Sequence, residues 1–156
     1  MKRIVFFDID GCFSTPAFKA KHGNASIDRA AWNNFVATIQ ALEAQIVMNS
    51  MWRRPALLTG QDPRSVLPDF ARTAPFHHDA ATPLVDDGGR GDWAAAWLRR
   101  NGHPVEVAFL DDEAPFCLLP DNRSRFESFR SRAIMPNPEI GVTASDLALL
   151  GGLFRS

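Results

Sequence analysis

Residues 4–12 read Ile-Val-Phe-Phe-Asp-Ile-Asp-Gly-Cys, an apolar run that ends in two carboxylates and a glycine. The run predicts a buried strand over residues 3–8, and the glycine predicts a turn after it. Side chains of a strand alternate between its two faces, so Asp8 and Asp10 are expected on one side, at the carboxyl end. Two carboxylates so close repel each other unless a cation or a proton lies between them. The pair therefore suits either a Mg²⁺ site or a nucleophilic carboxylate beside an acid/base group. The alternative is a strand that ends in a solvated acidic turn.

The composition is that of an ordinary globular protein. The chain has 156 residues, of which 46% are hydrophobic and 22% are charged, and its net charge is −1. We therefore expect one domain over residues 1–156. A net charge this small creates no overall electrostatic field that would select nucleic acid or membrane as a partner. Two cysteines do not make a disulfide framework and favour a reducing compartment. With no secretion signal and no apolar run of membrane-spanning length recognised, the predicted class is a cytoplasmic enzyme or binding domain.

Strands and helices are expected to alternate along the chain. Helices are predicted over residues 27–44, 62–70, 90–100 and 143–150, the last one stopped by Gly151 and Gly152. Strands are predicted over residues 45–49, 74–77, 105–110 and 133–135. Residues 13–25 are assigned to a loop that is too short for a large cap. This pattern indicates an α/β protein with a single doubly wound, Rossmann-like parallel sheet flanked by helices, a minimal cap, and sites outside the carboxyl ends of the strands.

A second acidic pair follows another of these strands. Asp111 and Asp112 come directly after residues 105–110, and Asn49 and Ser50 come at the end of the second strand. If the strands are neighbours, three or four carboxylates converge, and such an arrangement is costly without a divalent cation. A solvated acidic turn explains either pair alone but explains both together less well. We therefore predict a functional site at this edge of the sheet.

The order of these motifs resembles the haloacid dehalogenase (HAD) superfamily of phosphotransferases. The closer resemblance is to the HAD domain of Swiss Army Knife RNA repair proteins, and it spans nearly the whole chain. The corresponding residues here are Asp8-Ile9-Asp10-Gly11, Ser50-Met51-Trp52-Arg53, Leu110-Asp111-Asp112 and, near the C-terminus, Gly141-Val142-Thr143. The resemblance implies a HAD-type sheet and Mg²⁺-dependent hydrolysis of a phosphomonoester.

The resemblance also implies a role for each motif residue. Asp8 would attack phosphorus to give an aspartyl-phosphate, and Asp10 would protonate the leaving oxygen and then activate water. Crowding by other carboxylates would favour the proton that Asp10 needs at the first step. Ser50 would donate a hydrogen bond to a phosphoryl oxygen. The Mg²⁺ ligands would be Asp8, the main-chain carbonyl of Asp10, Asp111 and Asp112, and further contacts to the substrate would come from Gly11, Asn49 and Arg53.

The basic residue that accompanies these carboxylates in the family is usually lysine. The three lysines of this chain all lie near its N-terminus: Lys2, Lys19 and Lys21. The motif order places the basic residue after Ser50 and before Asp111, so none of the three lysines occupies that position. Our candidate is Arg90, which follows two glycines, precedes a helix and has a fork that suits phosphate oxygens. Arg53 is the competitor: lying three residues after Ser50, it either reaches the same phosphate or braces the loop.

Several other features have ordinary explanations. Cys12 is expected to be a small packed thiol, because no group is evidently placed to lower its pKa. His77 and His78 are interpreted as loop histidines, and Trp93 and Trp97, four apart on a helix, as core packing. Trp52 either wedges the Ser50 loop or stacks on a base.

Residues 122–132 combine four arginines with two phenylalanines. They form either an amphipathic helix whose Phe126 and Phe129 pack on the sheet or a basic, aromatic surface for single-stranded nucleic acid. The two interpretations are compatible, and the first is favoured.

A small cap leaves the site open, so the substrate class includes phosphorylated RNA or DNA ends as well as nucleotides. The RNA-repair resemblance points to nucleic-acid ends and implies a functional association with a repair ligase or kinase. Two alternatives stay open. One is a phosphoacceptor signalling domain, although the acceptor Asp after the third strand and the Lys after the fifth are not evident. The other is a phosphate-binding module of HAD-like fold without turnover, which the missing lysine permits and the intact carboxylates disfavour.

Overall fold

A computed structural model describes residues 2–86, 88–102, 105–116 and 125–154. Within these ranges, the strands are β1 (Lys2–Phe7), β2 (Gln45–Met48), β3 (Phe76–Ala81), β4 (Val105–Leu110) and β5 (Ala133–Ile134). They form one sheet in the order β3-β2-β1-β4-β5, and every neighbouring pair is parallel. The chain adds β2 and β3 on one side of β1 and then β4 and β5 on the other. The direction of winding therefore reverses between β1 and β4, which is where ligands bind in such sheets.

Helices cover both faces of the sheet. They are α1 (Pro16–His22), α2 (Arg29–Ala41), α3 (Arg54–Leu58), α4 (Arg90–Asn101), α5 (Glu127–Arg130) and α6 (Ala144–Leu153), with short 3₁₀ turns at Met51–Arg53, Pro63–Val66 and Asp69–Ala71. Among the described residues, no helix reaches the length and apolarity needed to cross a bilayer.

The alternation of side chains along β1 separates the core into two layers. Val5 and Phe7 point to one face, where they pack with the apolar residues of α2 and α6. Ile4 and Phe6 point to the other face, where they pack with α4 and with Phe129. All four strand residues have no exposed surface. The sequence prediction of a doubly wound, Rossmann-like parallel sheet of HAD type, flanked by helices, is thus confirmed.

Residues 13–25 are not only a loop, because they contain α1. Thr15 starts this helix: its hydroxyl accepts from the Phe18 amide at 3.2 Å, and Pro16 occupies the first helical position. A single short helix is consistent with the expected minimal cap. The same N-terminal signal is present at Asp62, where only two 3₁₀ turns form instead of one helix to residue 70. Pro68 lies between those turns and cannot continue a helix.

Two other element boundaries differ from the sequence prediction. The third strand runs to Ala81, so His77 and His78 lie in a strand and not in a loop; His77 is buried edge-on against Trp97, at 4.9 Å between ring centres. The last helix continues through both glycines to Leu153. Leu150, which is fully buried, anchors that last turn to the sheet. Packing there outweighs the weak helix propensity of glycine.

The described part of the basic, aromatic segment packs against the protein. Phe129 is buried on Phe109, with ring centres 4.7 Å apart, and Phe126 stacks on Phe129. The arginines have protein partners: Arg125 pairs with Asp92 at 2.9 Å, Arg130 pairs with Glu127 at 2.7 Å, and Arg132 donates to the carbonyls of Val107 and Leu153. Residues 122–124, including Arg123, lie outside the described residues.

Candidate active site

The carboxyl ends of β1, β2 and β4 meet at one edge of the sheet. Phe7 is in register with Met48 on one side and with Leu110 on the other, so the next residues along each strand are neighbours. The Asp8 amide donates to the Leu110 carbonyl at 2.9 Å, and the Asn49 amide donates to the Phe7 carbonyl at 2.8 Å. The polar residues that follow the three strands are therefore brought together where the winding reverses.

Three carboxylates form a compact cluster at this edge. Asp8, Asp111 and Asp112 each offer an oxygen, and these oxygens lie within 4.8 Å of one another. Asp8 and Asp111 are only 1% exposed. Gly11 makes room for the cluster: it adopts φ +78°, and a Cβ at this position would overlap the Asp112 carboxylate. The glycine thus lets the first acidic loop approach the second.

One oxygen of the cluster has no hydrogen-bond donor among the residues that the structure describes. Asp111 Oδ1 accepts from the Glu113 amide at 2.9 Å. Asp111 Oδ2 is buried without a hydrogen-bond partner among the described residues, and Arg90 Nε lies 3.5 Å from it. A buried carboxylate oxygen without a donor is costly, whereas an oxygen ligand is what Mg²⁺ requires. The three carboxylates therefore fit a hard divalent cation.

Burial also alters the proton affinity of the cluster. It raises the pKa of Asp8 from the ordinary 3.8 to about 7, although the Arg90 guanidinium opposes the rise. Burial and the neighbouring charge of Asp8 together raise the pKa of Asp111 well above its ordinary value. A bound cation would reverse this effect, since it favours the ionised form of each carboxylate.

Arg90, the first residue of α4, lies among these carboxylates. Its NH2 nitrogen is 3.2 Å from Asp8 Oδ2, and its Nε is 3.4 Å from Glu113 Oε2. Its NH1 nitrogen donates to the Asn49 carbonyl at 2.8 Å. The guanidinium is buried and directly faces the Asp8 carboxylate.

Asn49 holds Arg90 in this position. Its side-chain nitrogen donates to the Arg90 carbonyl at 3.2 Å, and its side-chain oxygen accepts from the Thr82 hydroxyl at 2.8 Å. Both ends of the amide are thus used within the protein, and the residue is buried. Asn49 connects the end of β2 to the residue after β3 and to the start of α4.

Arg53 is also buried, but it has different partners. Its guanidinium donates to the carbonyls of Ser50 at 2.6 Å, Thr82 at 2.8 Å and Pro83 at 3.2 Å. Burial lowers the pKa of Arg53 to about 10, with a smaller contribution from the nearby Arg90 cation. Among the described residues it forms no ion pair with a carboxylate. These contacts brace the loops that follow β2 and β3.

Trp93 does more than pack in the core, which was all that the sequence predicted for it. Its ring lies 4.2 Å from the Arg53 guanidinium carbon and 5.1 Å from that of Arg90. Stacking on an aromatic face stabilises a desolvated cation. Trp93 therefore supports both buried arginines, while Trp97 packs in the core as predicted.

Ser50 and Cys12 lie close to the Asp8 carboxylate. The Ser50 hydroxyl accepts from the Trp52 amide at 3.2 Å, and its polar influence lowers the pKa of Asp8 slightly against the larger effect of burial. The Cys12 thiol is buried, and its pKa is raised by burial and by the surrounding aspartates. A thiol whose pKa is raised is a poor nucleophile, so Cys12 is a packing residue.

The Asp10 carboxylate lies apart from the three-carboxylate cluster. Its Oδ1 accepts from Trp52 Nε1 at 3.1 Å and lies 2.6 Å from Lys19 Nζ. The side chain is 47% exposed. In the motif order Lys19 lies away from the family's basic position, but in the fold it lies beside Asp10. The Thr15-Pro16 cap could have predicted the start of α1, but not the contact of Lys19 with Asp10.

A family model described as the HAD domain in Swiss Army Knife RNA repair proteins matches residues 4–147. No curated protein and no solved structure matches the chain. The matched range runs from β1 into α6 and includes the acidic ends of β1 and β4 and the serine after β2. The chain therefore belongs to the family of HAD domains found in Swiss Army Knife RNA repair proteins.

Proposed function

We propose that the protein is a Mg²⁺-dependent phosphatase that hydrolyses phosphomonoesters through an aspartyl-phosphate. The observation that carries this proposal is the Asp8 carboxylate, which is buried between the Arg90 guanidinium and two further carboxylates at the switch point of the sheet. The family match supports a phosphatase-like role. Asp111 Oδ2, which accepts no hydrogen bond from the described residues, supports a cation at the same place.

Asp8 is the proposed nucleophile. The Ile9 amide donates to its Oδ1 at 2.8 Å and fixes the carboxylate, while its Oδ2 faces Arg90. A carboxylate oxygen of Asp8 forms the bond to phosphorus as the bond to the leaving oxygen breaks. The leaving oxygen takes a proton from Asp10. Water then attacks the aspartyl-phosphate and passes a proton to Asp10, which releases phosphate and restores the enzyme.

Arg90 and Ser50 are the proposed phosphate contacts. Arg90 presents a buried fork beside Asp8, where charge develops on the transferring group, so it stabilises that charge without reorganisation. Asp8, Asp111, Asp112 and the main-chain carbonyl of Asp10 would hold Mg²⁺. When bound, the cation would neutralise the repulsion between an anionic nucleophile and an anionic phosphate.

The proposed substrate is a phosphorylated RNA or DNA end, or a nucleotide. Between β1 and α2 the chain forms only the seven-residue helix α1, which leaves the Asp10 side chain half exposed. An open site admits a macromolecular substrate. The family description associates related domains with RNA repair, so cooperation with a repair ligase or kinase belongs to the same proposal.

The test is phosphate release from p-nitrophenyl phosphate and from RNA and DNA that carry 5′- or 3′-phosphates. We expect turnover with MgCl₂, its loss with EDTA, and a higher kcat/KM on at least one nucleic-acid end than on the aryl phosphate. Phosphate binding without release from any substrate would identify a binding module instead. Unchanged turnover in EDTA would contradict the proposed cation.

The raised pKa values predict how stability depends on pH. Between pH 4 and 7 the folded protein keeps a proton on Asp8 that the unfolded chain has lost, because the pKa is about 7 in the fold and 3.8 ordinarily. The free energy of unfolding of the metal-free protein should therefore fall as pH rises through this window, by up to about 1.4 kcal/mol per pH unit for one group. Asp111 contributes in the same direction.

Thermal unfolding at pH 5 and pH 8, with EDTA or MgCl₂, measures this effect. Mg²⁺ should raise Tm more at pH 8 than at pH 5, because protons compete for the same carboxylates. Asp8→Asn should flatten the pH dependence in EDTA, and the difference between the two proteins isolates Asp8 from other titrating groups. If the stability of wild type in EDTA depended on pH no more steeply than that of the variant, the raised pKa of Asp8 would be refuted.

A further inference from the structure

The helix α1 is attached to the protein at the candidate active site. It begins six residues after Asp10, at Pro16, and ends at His22, and none of its seven residues is buried. Such a helix has no apolar stripe that packs on the core, so its position depends on its ends and on polar contacts. The ion pair between Lys19 and Asp10, at 2.6 Å, is one of these contacts.

The Asp10 carboxyl group is held through one of its two oxygens. Lys19 Nζ and Trp52 Nε1 both contact Oδ1, the first from α1 and the second from the 3₁₀ turn after β2. The described residues supply no donor to Oδ2. Two donors on one oxygen fix the plane of a carboxyl group, and they leave the second oxygen available for proton exchange.

We propose that Lys19 is a positioning residue for the acid/base group Asp10, acting together with Trp52. This inference rests on the proposed phosphatase function. In the first half-reaction, the proton on Asp10 Oδ2 passes to the leaving oxygen as its bond to phosphorus breaks. The Lys19 ammonium and the Trp52 N–H stabilise the carboxylate that remains. In the second half-reaction, Oδ2 takes the proton of the attacking water, and Lys19 keeps its own protons throughout.

The position of Lys19 predicts an effect that depends on the leaving group. A p-nitrophenolate leaves without a proton, whereas the alkoxide of a nucleic-acid end needs one. The constant kcat/KM covers only the steps up to formation of the aspartyl-phosphate and release of the leaving group. It therefore isolates the proton donation by Asp10 from the later attack of water, which is common to all substrates.

The experiment compares kcat/KM of Lys19→Met on p-nitrophenyl phosphate and on the phosphorylated RNA or DNA end that wild type hydrolyses best. We expect a loss of roughly 10–100-fold on the nucleic-acid end, part of what general acid catalysis contributes, and less than about threefold on the aryl phosphate. Lys19→Arg should recover most of the loss. Trp52→Phe should show the same selectivity.

Lys21→Met is the matched control, because Lys21 is exposed on the same helix and carries the same charge. It should leave both substrates unchanged. Equal losses on the two substrates, no loss on either, or the same pattern in Lys21→Met would overturn the role of Lys19. A wild type that is inactive on all substrates would instead refute the proposed function, and the positioning role with it. Thermal unfolding checks that the variants are folded.

Discussion

Asp8→Asn should abolish phosphate release, with kcat reduced roughly 10⁴-fold or more, the scale seen when a nucleophile is removed. The amide that replaces the carboxylate cannot form the acyl phosphate and carries no charge for a cation. Asparagine has nearly the same shape, and its single amide oxygen can still accept from the Ile9 amide, while its amide nitrogen, which is a donor, loses the contact with Arg90. Because burial penalises the charged form of Asp8, the variant should be at least as stable as wild type at pH 8 in EDTA.

The experiment measures phosphate release and Tm of both proteins purified in parallel. Asp69→Asn is the control, because this side chain is 94% exposed and lies in a turn before β3. It should match wild type in both measurements. Residual activity of Asp8→Asn close to that of wild type would remove Asp8 as nucleophile. Incorporation of phosphate into wild type that survives acid quenching but is released by hydroxylamine, and that is absent from Asp8→Asn, would identify the acyl-phosphate intermediate directly.

The position of the carboxylates could be predicted from sequence because it depends on simple rules. An apolar run followed by acidic residues marks a strand end, and parallel strands place their carboxyl ends at one edge. These two rules are sufficient to predict where Asp8 and Asp111 lie. Their closeness to Asp112 also needed Gly11, whose positive φ is a property that glycine readily supplies.

Lys19 could not be placed in the same way. Its helix has no buried residue and so no apolar periodicity, which is the main sequence signal for a helix. Only the cap at Thr15 marks its start. The contact with Asp10 arises because this helix folds back over the end of β1, and such a tertiary contact leaves no local pattern.

The two buried arginines show a second kind of limit. Sequence spacing left two alternatives for Arg53. It lies three residues after Ser50, so its side chain could face either the phosphate or the loop. Its partners Thr82 and Pro83 lie about 30 residues away along the chain, and the Trp93 ring below it belongs to another helix. The choice between alternatives therefore depended on how β3 and α4 are placed beside β2.

Arg90→Ala should reduce kcat/KM roughly 10²–10³-fold, the effect of removing one preorganised donor from a developing charge. The guanidinium contacts Asp8 and is close to Asp111, so it lies where a phosphoryl group would meet the nucleophile. Arg90→Lys keeps the charge but loses the planar fork, and it should recover about tenfold of that loss. Arg99→Ala, exposed on the same helix, should have no effect.

Arg53→Ala should act mainly on stability. Removal of this side chain takes the donor from the Thr82 and Pro83 carbonyls and one of two donors from the Ser50 carbonyl, and one such buried group left unpaired costs about 1–3 kcal/mol. We therefore expect a lower Tm with a smaller loss of kcat/KM than for Arg90→Ala, measured in saturating MgCl₂ below the unfolding transition. If Arg53→Ala instead lost more activity at unchanged Tm, the phosphate contact would belong to Arg53. The comparison is decisive because both guanidinium groups stack on Trp93, while only that of Arg90 forms an ion pair with Asp8 among the described residues.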